Sequence, residues 1–362
     1  MSNQPIIIMA GGTGGHIYPA LAVAKELKAR SRKVIWLGTR RGLEAKIIAT
    51  EGIKIEWINI EGFRGKPFIT RILAPLKICF AIIRSIRVMI KHNPSVVLGM
   101  GSFVSGPGGI AAWLLRYPLI IHEQNAIPGK TNHLLAYFAN VVMESFSGSF
   151  NKRFRAVNVG NPIRKDILSI QEPSKRLIDR KGPIRLLVLG GSLGALILNQ
   201  KLPKILASMS KITNLEVIHQ AGEKTIDIAR DEYQKYALKV KVVSYIQEMA
   251  DVYNWADLVI CRSGAMCVSE LSAVGLPAIF IPYPSAVDNH QVANAMPLVE
   301  AGAAIIVREQ EFEEKYFLKI LTNWLRDRSL LIERAVKAQS FAKPHALDQI
   351  TELCIDLTGE NP

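Results

Sequence analysis

A chain of 362 residues, 49% of them apolar, exceeds what one hydrophobic core usually organises and predicts two domains. Its four cysteines, Cys79, Cys261, Cys267 and Cys354, show no CxxC pair or framework spacing, which argues against disulfides and a structural zinc site and for buried thiols in a reducing compartment. The net charge of +14 is uneven: residues 1–164 carry 22 Lys and Arg against seven Glu and no Asp, residues 165–362 carry 23 against 24, and a basic half of this kind seeks a polyanion.

No basic region precedes the first apolar run, so a secretory signal is not expected. That run, Ile6 to Ala10, reads as a buried parallel strand that turns on Gly11-Gly12-Thr13-Gly14-Gly15-His16 into a helix from about Ala20 to Arg30, with Pro19 near its start. A second strand spans Lys33 to Leu37. From Arg71 to Lys91 a helix follows in which Lys77, Arg84, Arg87 and Lys91 fall near one face and nearly everything else is apolar, more than a single core-facing stripe requires. It lies between Glu61 and Glu123, a stretch without any acid that also holds Arg64, Lys66 and Arg116. Two readings stay open: a crossover helix covered by a loop, or one that lays its outer face on an anionic membrane surface. The apolar run is too short to span a bilayer. Aromatic residues for base stacking are not interleaved with the charges, so nucleic acid is not expected.

Ser95 to Leu98 enters a glycine-dense turn, Gly99 to Gly109, and Leu119 to Ile121 enters His122-Glu123-Gln124-Asn125. Being adjacent on extended backbone, His122 and Glu123 point to opposite faces and are not expected to act jointly. After Val157 to Val159, Gly160-Asn161-Pro162-Ile163-Arg164 opens a polar stretch to Gly182-Pro183, where the domain junction is placed. The second half repeats the scheme. Leu186 to Leu189 turn on Gly190-Gly191-Ser192-Leu193-Gly194, 179 residues after the first loop, and strands follow at Glu216 to His219, Val240 to Val243, Leu258 to Ile260 and Ala278 to Ile281. Residues from about 329 to 357 read as one last helix whose end, about 342–358, crosses back onto the first domain. The class is α/β with parallel sheets, and all these turns lie at carboxyl ends of strands, where such sheets bind ligands.

Each glycine loop aims backbone N–H groups and a positive helix end at an anion. The first departs from the GxGxxG register, and no acid stands at the end of the second strand, Leu37-Gly38-Thr39-Arg40, to hold an adenosine ribose. At His16 the positive helix end disfavours an imidazolium, and a neutral ring suits a general base that activates a sugar hydroxyl; a capping or anion-contacting role stays open. After Cys261-Arg262-Ser263-Gly264 a helix begins near Ala265, fit to hold a diphosphate at its start. Glu270, one or two turns in, is placed to accept two ribose hydroxyls or else is a solvated helix residue. Pro282-Tyr283-Pro284 and Asp288-Asn289-His290-Gln291 form a polar loop fit for sugar hydroxyls. There is no Asp-x-Asp and no Asp before Asp166, so a divalent metal at a diphosphate is not expected.

Taken in order, the first glycine loop with His16, the Gly99 to Gly109 segment, His122 to Asn125, Gly160 to Arg164, Gly190-Gly191-Ser192, Arg262 to Ala265, Val268-Ser269-Glu270 and Asp288 to Gln291 resemble glycosyltransferase family 28, the bacterial transferases that make lipid II. The resemblance covers essentially the whole chain. It implies a GT-B fold, two Rossmann-like domains separated by a deep cleft. Residues 1–163 with the returning helix would bind acceptor and membrane, and residues 164–341 the donor. It further implies inverting transfer of N-acetylglucosamine from UDP-N-acetylglucosamine to the C4 hydroxyl of the muramyl sugar in undecaprenyl-pyrophosphoryl-muramyl-pentapeptide (lipid I), with no metal or other cofactor. The setting implied is peptidoglycan synthesis at the cytoplasmic face of the bacterial inner membrane, beside other cell-wall synthesis proteins.

In family terms His16 is catalytic, and Thr13, Gly14, Gly15 and Asn125 approach the donor sugar. Arg164 and Ser192 lie along its nucleotide and diphosphate, and Ile246 meets the uracil. Ala265, Met266, Cys267, Val268, Ser269 and Glu270 bind nucleotide and sugar, and Gln291 contacts the sugar. Gly101, Ser102 and Gly106 are implied on the acceptor side, receiving the lipid-linked diphosphate. The chain departs from the family at Ser102, often Gly, at His290, often Gln, and at Cys267, often Thr. A UDP-N-acetylglucosamine 2-epimerase on the same fold is the alternative, against which the acid-poor first half argues; a non-catalytic nucleotide-sugar sensor or membrane scaffold is the third reading.

Overall fold

The computed structural model describes residues 4–62, 74–191, 194–285 and 289–359. Arg64, Lys66, Arg71, Ser192, Leu193 and Asp288, singled out above, lie outside them. The chain divides into two compact units, residues 1–163 with 345–362, and residues 164–344.

The first unit is built on a parallel sheet of seven strands, β1 Ile6–Met9, β2 Val34–Gly38, β3 Lys54–Trp57, β4 Val96–Gly99, β5 Leu119–Glu123, β6 Val141–Glu144 and β7 Val157–Asn158, in the order β3-β2-β1-β4-β5-β6-β7. β1 and β4, and β5 as far as Ile121, are buried throughout, which is why they read as unbroken apolar runs rather than alternating ones. The order reverses between β1 and β4, which pair in register from Ile6 with Val96 to Met9 with Gly99, so the loops after these two strands emerge side by side at the switch point. Helix α1, Gly14–Ala29, begins earlier than the sequence suggests: Thr13 is its extended N-cap, and Pro19 is its sixth residue rather than near its start. Packing outweighs the poor propensity of Gly14 and Gly15, because Ile17, Ala20, Val23, Ala24 and Leu27 are wholly buried on the sheet. Pro19 removes the bond its N–H would have made to Gly15.

Helices α2 Glu44–Ile47, α3 Ala74–His92, α4 Ser102–Leu114 and α5 Lys130–Leu135 complete the crossovers used below. The glycine-dense segment after β4 is mostly helix and not a turn, a correction with a packing cause. A Cβ on Gly108 would stand 2.2 Å from Met9 Sδ, and one on Gly109 2.6 Å from Leu135 Cδ2, so these glycines let α4 lie close on the sheet and on α5. α3 buries only Ala81, Ser85, Val88 and Met89 and leaves Leu76, Phe80 and Ile90 59%, 70% and 62% exposed. Cys79 on the same helix is exposed and Cys267 is half-buried, against the expectation of four buried thiols.

The second unit carries a six-stranded parallel sheet, β8 Ile184–Leu189, β9 Leu215–Gln220, β10 Lys241–Val243, β11 Leu258–Cys261, β12 Ala278–Phe280 and β13 Ala304–Ile306, ordered β10-β9-β8-β11-β12-β13. Its switch point lies between β8 and β11, whose last residues, Leu189 and Cys261, are register partners. Helices α6 Leu196–Ser210, α7 Met249–Trp255, α8 Ala265–Val274 and α9 His290–Glu300 pack around it. The strands β3, β6 and β13, three or four residues each, go unread in the sequence. The single last helix expected over 329–357 is two: α10 Arg328–Gln339 in the second unit and α11 Ala346–Asp356 in the first. Pro344 falls between them, where its ring and missing N–H end a helix. Within the first unit α11 lies on α1, buries Leu347, Ile350 and Cys354, and is tied by Arg30 to Asp348 at 2.8 Å.

Candidate active site

In the first unit the chain leaves β1 through Gly11 and Gly12 (φ +83°). The side chain of Glu44 folds back under this loop: Oε2 accepts from Gly12 N–H at 3.2 Å, and Oε1 from the Thr39 amide and hydroxyl at 2.9 and 2.7 Å. Glu44, reaching back from α2 to the end of β2, is wholly buried and already bonded there. One expectation changes with it. The Gly12 amide, read from the sequence as aimed at an anion, is bound by the protein's own carboxylate. Thr13 and Gly15 are exposed, Gly14 half-buried.

His16 sits in the first turn of α1, half-buried, with Nδ1 2.9 Å from Gln124 Oε1 and 3.1 Å from the Met100 carbonyl. Gly101 turns under the ring at φ +87°, and a Cβ there would stand 2.9 Å from His16 Nδ1, so glycine is required. The next residue, Ser102, holds φ +71°, a left-handed conformation in which a side chain costs about 1 kcal/mol. This accounts physically for the glycine that the family resemblance puts there. Gly106 is a half-buried residue of α4. Buried His122 and Glu123 serve separate networks, as alternation along β5 requires: His122 bonds the Gly160 carbonyl at 2.9 Å, while Glu123 accepts from Asn125, Gly129 and Asn132 at 2.9 to 3.1 Å. Asn125 is thereby positioned through its own amide groups. A cavity of 810 Å³ opens beside this loop, lined by Gly12, Arg40, Arg41, Lys77, Phe80 and Phe103 among others.

In the second unit Gly190 and Gly194 are packing necessities. A Cβ on the first would stand 2.9 Å from Gln220 O, and one on the second 2.4 Å from Ala221 O. Beside them at the switch point, α8 starts at Ala265 with Gly264 as extended N-cap, and a Cβ on Gly264 would meet open space. The face before this helix end therefore has room for a ligand at its N–H groups. Ala265 and Val268 are buried, Met266, Cys267 and Ser269 half-buried, and Ile246 is buried. Glu270, in the second turn, is not a solvated helix residue: burial pushes its carboxyl up to about 7, against the Tyr253 hydroxyl, which donates to Oε2 at 2.9 Å, and the charge of Arg164, which favour the anion. Arg164 itself is exposed and lies 3.8 Å from Asp166. Arg262 bonds the Ile281 and Pro282 carbonyls, pairs with Glu309 and lies over the Tyr283 ring, fixing the loop after β12. In that loop the Tyr283 amide donates to Gln291 Oε1 at 2.8 Å. Cys267 Sγ stands 3.6 Å from Cys261 Sγ, both as free thiols.

Glu44 and Tyr253 hold site residues yet carry no signal in sequence, and Gln124 stands in a motif read above but without this role. The folded register brings Glu44 to Gly12, Tyr253 to Glu270 and Gln124 to His16.

The chain matches the glycosyltransferase family 28 N-terminal domain over residues 6–144 and the glycosyltransferase family 28 C-terminal domain over residues 185–350. It is 44% identical over 349 residues, 96% of this chain and 97% of the other, to the UDP-N-acetylglucosamine--N-acetylmuramyl-(pentapeptide) pyrophosphoryl-undecaprenol N-acetylglucosamine transferase of Coxiella burnetii. It is 45% identical over 354 residues, 98% and 99% of the two chains, to the protein of that name from Nitrosococcus oceani. Among solved structures it is similar to Acinetobacter baumannii MurG, with a TM-score of 0.86 and 38% identity over 98% of this chain and 99% of that one. With both halves matched in order and relatives this similar over nearly their whole length, the chain belongs to glycosyltransferase family 28.

Proposed function

We propose that this protein is an inverting transferase that moves N-acetylglucosamine from UDP-N-acetylglucosamine to the C4 hydroxyl of the muramyl sugar in lipid I, giving lipid II. The observation that carries the reading is the 44% identity, over nearly all of both chains, to transferases of that printed activity. The site residues supply a matching chemistry. In the second unit, the open N-terminal end of α8 suits the donor diphosphate, and Glu270 suits the ribose hydroxyls. In the first, His16 takes the proton of the C4 hydroxyl as its oxygen bonds the anomeric carbon. The bond from that carbon to the diphosphate breaks from the opposite face, its electron pair leaving on UDP. Helix ends and main-chain amides replace a metal in steadying that leaving charge.

The lipid-linked acceptor is assigned to the first unit, with the 810 Å³ cavity beside Gly12 and its Arg40 and Arg41 cations as its seat, and with Gly101, Ser102 and Gly106 around its diphosphate. No helix of the described residues is long and apolar enough to cross a membrane. The exposed apolar residues of α3, flanked by exposed Arg84 and Arg87, suit instead a peripheral seat on an anionic surface, the cytoplasmic face of the cell membrane where other cell-wall enzymes meet the same lipid. The test is UDP release from UDP-N-acetylglucosamine in EDTA, with and without a lipid I analogue. Release that requires the analogue and survives chelation supports the assignment; UDP release without acceptor, as a hydrolysing epimerase would give, no release even with the analogue, or loss under EDTA overturns it.

A further inference from the structure

We propose that His122 and Gln124 are positioning residues that dictate which ring nitrogen of His16 is basic: a one-way chain of hydrogen bonds runs from the Gly160 carbonyl to His16 and leaves the lone pair on Nε2. The inference rests on the reading of His16 as the general base.

The direction follows from what each partner can donate. The Gly160 carbonyl only accepts and lies 2.9 Å from His122 Nε2, so that nitrogen carries the ring proton. Ser145 Oγ, 3.3 Å from the same nitrogen, gives its own proton to Asn161 Oδ1 at 2.8 Å and is an acceptor there too. His122 is completely buried, and burial pushes its pKa down to about 4 although the Gly160 carbonyl and the Glu123 charge act the other way, so the ring is neutral at pH 7. A neutral ring protonated at Nε2 has its lone pair at Nδ1, which lies 3.2 Å from Gln124 Nε2 and accepts from it. The second proton of that amide goes to the Met100 carbonyl at 3.1 Å.

Reversing the Gln124 amide would set its oxygen against a carbonyl and a lone pair. Its Oε1 therefore faces His16, 2.9 Å from Nδ1, where Met100 O at 3.1 Å is a second acceptor. Met His16 Nδ1 by two acceptors, and it must hold the ring proton; Nε2 is left to receive the one the sugar hydroxyl gives up. Free histidine side chains prefer the proton on Nε2, so the chain reverses the default. The charged group beside the relay, Glu123, is itself bound by Asn125, Gly129 and Asn132. A role confined to holding β5 against the loop after β4 would place no demand on which nitrogen is protonated.

Histidine ¹⁵N NMR of the whole protein at neutral pH reads the tautomers directly, without a variant. The expected result is His16 protonated at Nδ1 and His122 at Nε2; a proton on His16 Nε2 overturns the proposal. Gln124→Glu gives a second reading through kcat/KM against pH, with UDP-N-acetylglucosamine and a lipid I analogue. A carboxylate facing Nδ1–H favours the imidazolium, so the acidic limb moves up by about 1 to 2 pH units. A limb that stays in place, in a variant that still binds UDP-N-acetylglucosamine, overturns the proposal as well. His16→Ala in the same assay separates the two ideas. Wild-type turnover there removes the base itself, and with it the proposal; lost turnover together with an Nε2–H tautomer removes only the chain of bonds.

Discussion

Tyr253 donates its hydroxyl to Glu270 Oε2 at 2.9 Å, tying α7 to the second turn of α8 and holding the half-buried carboxylate that we propose receives the ribose hydroxyls. Burial raises that carboxyl to about 7, far above its ordinary range, so near neutral pH the group is partly protonated. Only the anion accepts from both ribose hydroxyls. Donor affinity is therefore complete only well above pH 7 and is lost as pH falls through it. Calorimetric titration with UDP-N-acetylglucosamine should show binding about tenfold weaker at pH 6 than at pH 8. Glu270→Gln should bind more weakly throughout and flatten the dependence; an unchanged slope in that variant would assign the titration elsewhere.

His16→Ala should lower turnover by roughly 10²-fold or more while leaving donor affinity nearly intact, because removing a base affects the transition state more than the bound ground state. Steady-state kinetics with a lipid I analogue, paired with donor titration, separates the two quantities. Equal loss of affinity and turnover would mark His16 as a binding group.

Much of this site is legible in the sequence because its parts are local. β1 and β8 are buried on both faces and so read as apolar runs, and the glycines after them, Gly15 excepted, stand where a Cβ would strike other atoms or where φ is positive. The opposed facing of His122 and Glu123 follows from strand alternation alone. What resists reading depends on distance along the chain. Gly108 and Gly109 look like a loop until the closeness of Met9 and Leu135 explains them as helix packing. Glu44 has no motif around it, yet it closes the loop before α1. The thiols of Cys261 and Cys267 give no spacing signal, and only the start of α8 against the end of β11 brings them to 3.6 Å.

Glu44 offers a stability test that the chemistry of the reaction does not enter. Its carboxylate satisfies the Gly12 amide, the Thr39 amide and the Thr39 hydroxyl in a wholly buried place. Glu44→Ala leaves these donors without a partner and opens a cavity, a loss of about 3 kcal/mol. Glu44→Gln keeps the volume and one acceptor and should lose about half as much. Urea unfolding midpoints at one pH compare the three proteins. Equal stability of the alanine variant would show that the loop holds its shape without the clamp.

The outer face of α3 sets apolar contact against charge in a way that vesicle binding can resolve. Leu76, Phe80 and Ile90 are exposed, and Lys77 and Lys91 are neutralised by Glu61 at 3.0 Å and Glu56 at 2.9 Å, so they add little net attraction to an anionic surface. Arg84 and Arg87 are exposed and have no ion-pair partner among the described residues. Each cation near such a surface contributes about 1 kcal/mol, so replacing both with Glu should weaken binding to acidic phospholipid vesicles by about 30-fold or more. The effect should shrink in high salt, where charge is screened and only apolar insertion remains. Turnover on a water-soluble acceptor should change by less than about twofold, since neither arginine lines the cavity beside Gly12. Vesicle co-sedimentation of wild type and the double variant gives the answer: undiminished binding would assign the exposed apolar stripe, or another surface, the whole of the attachment.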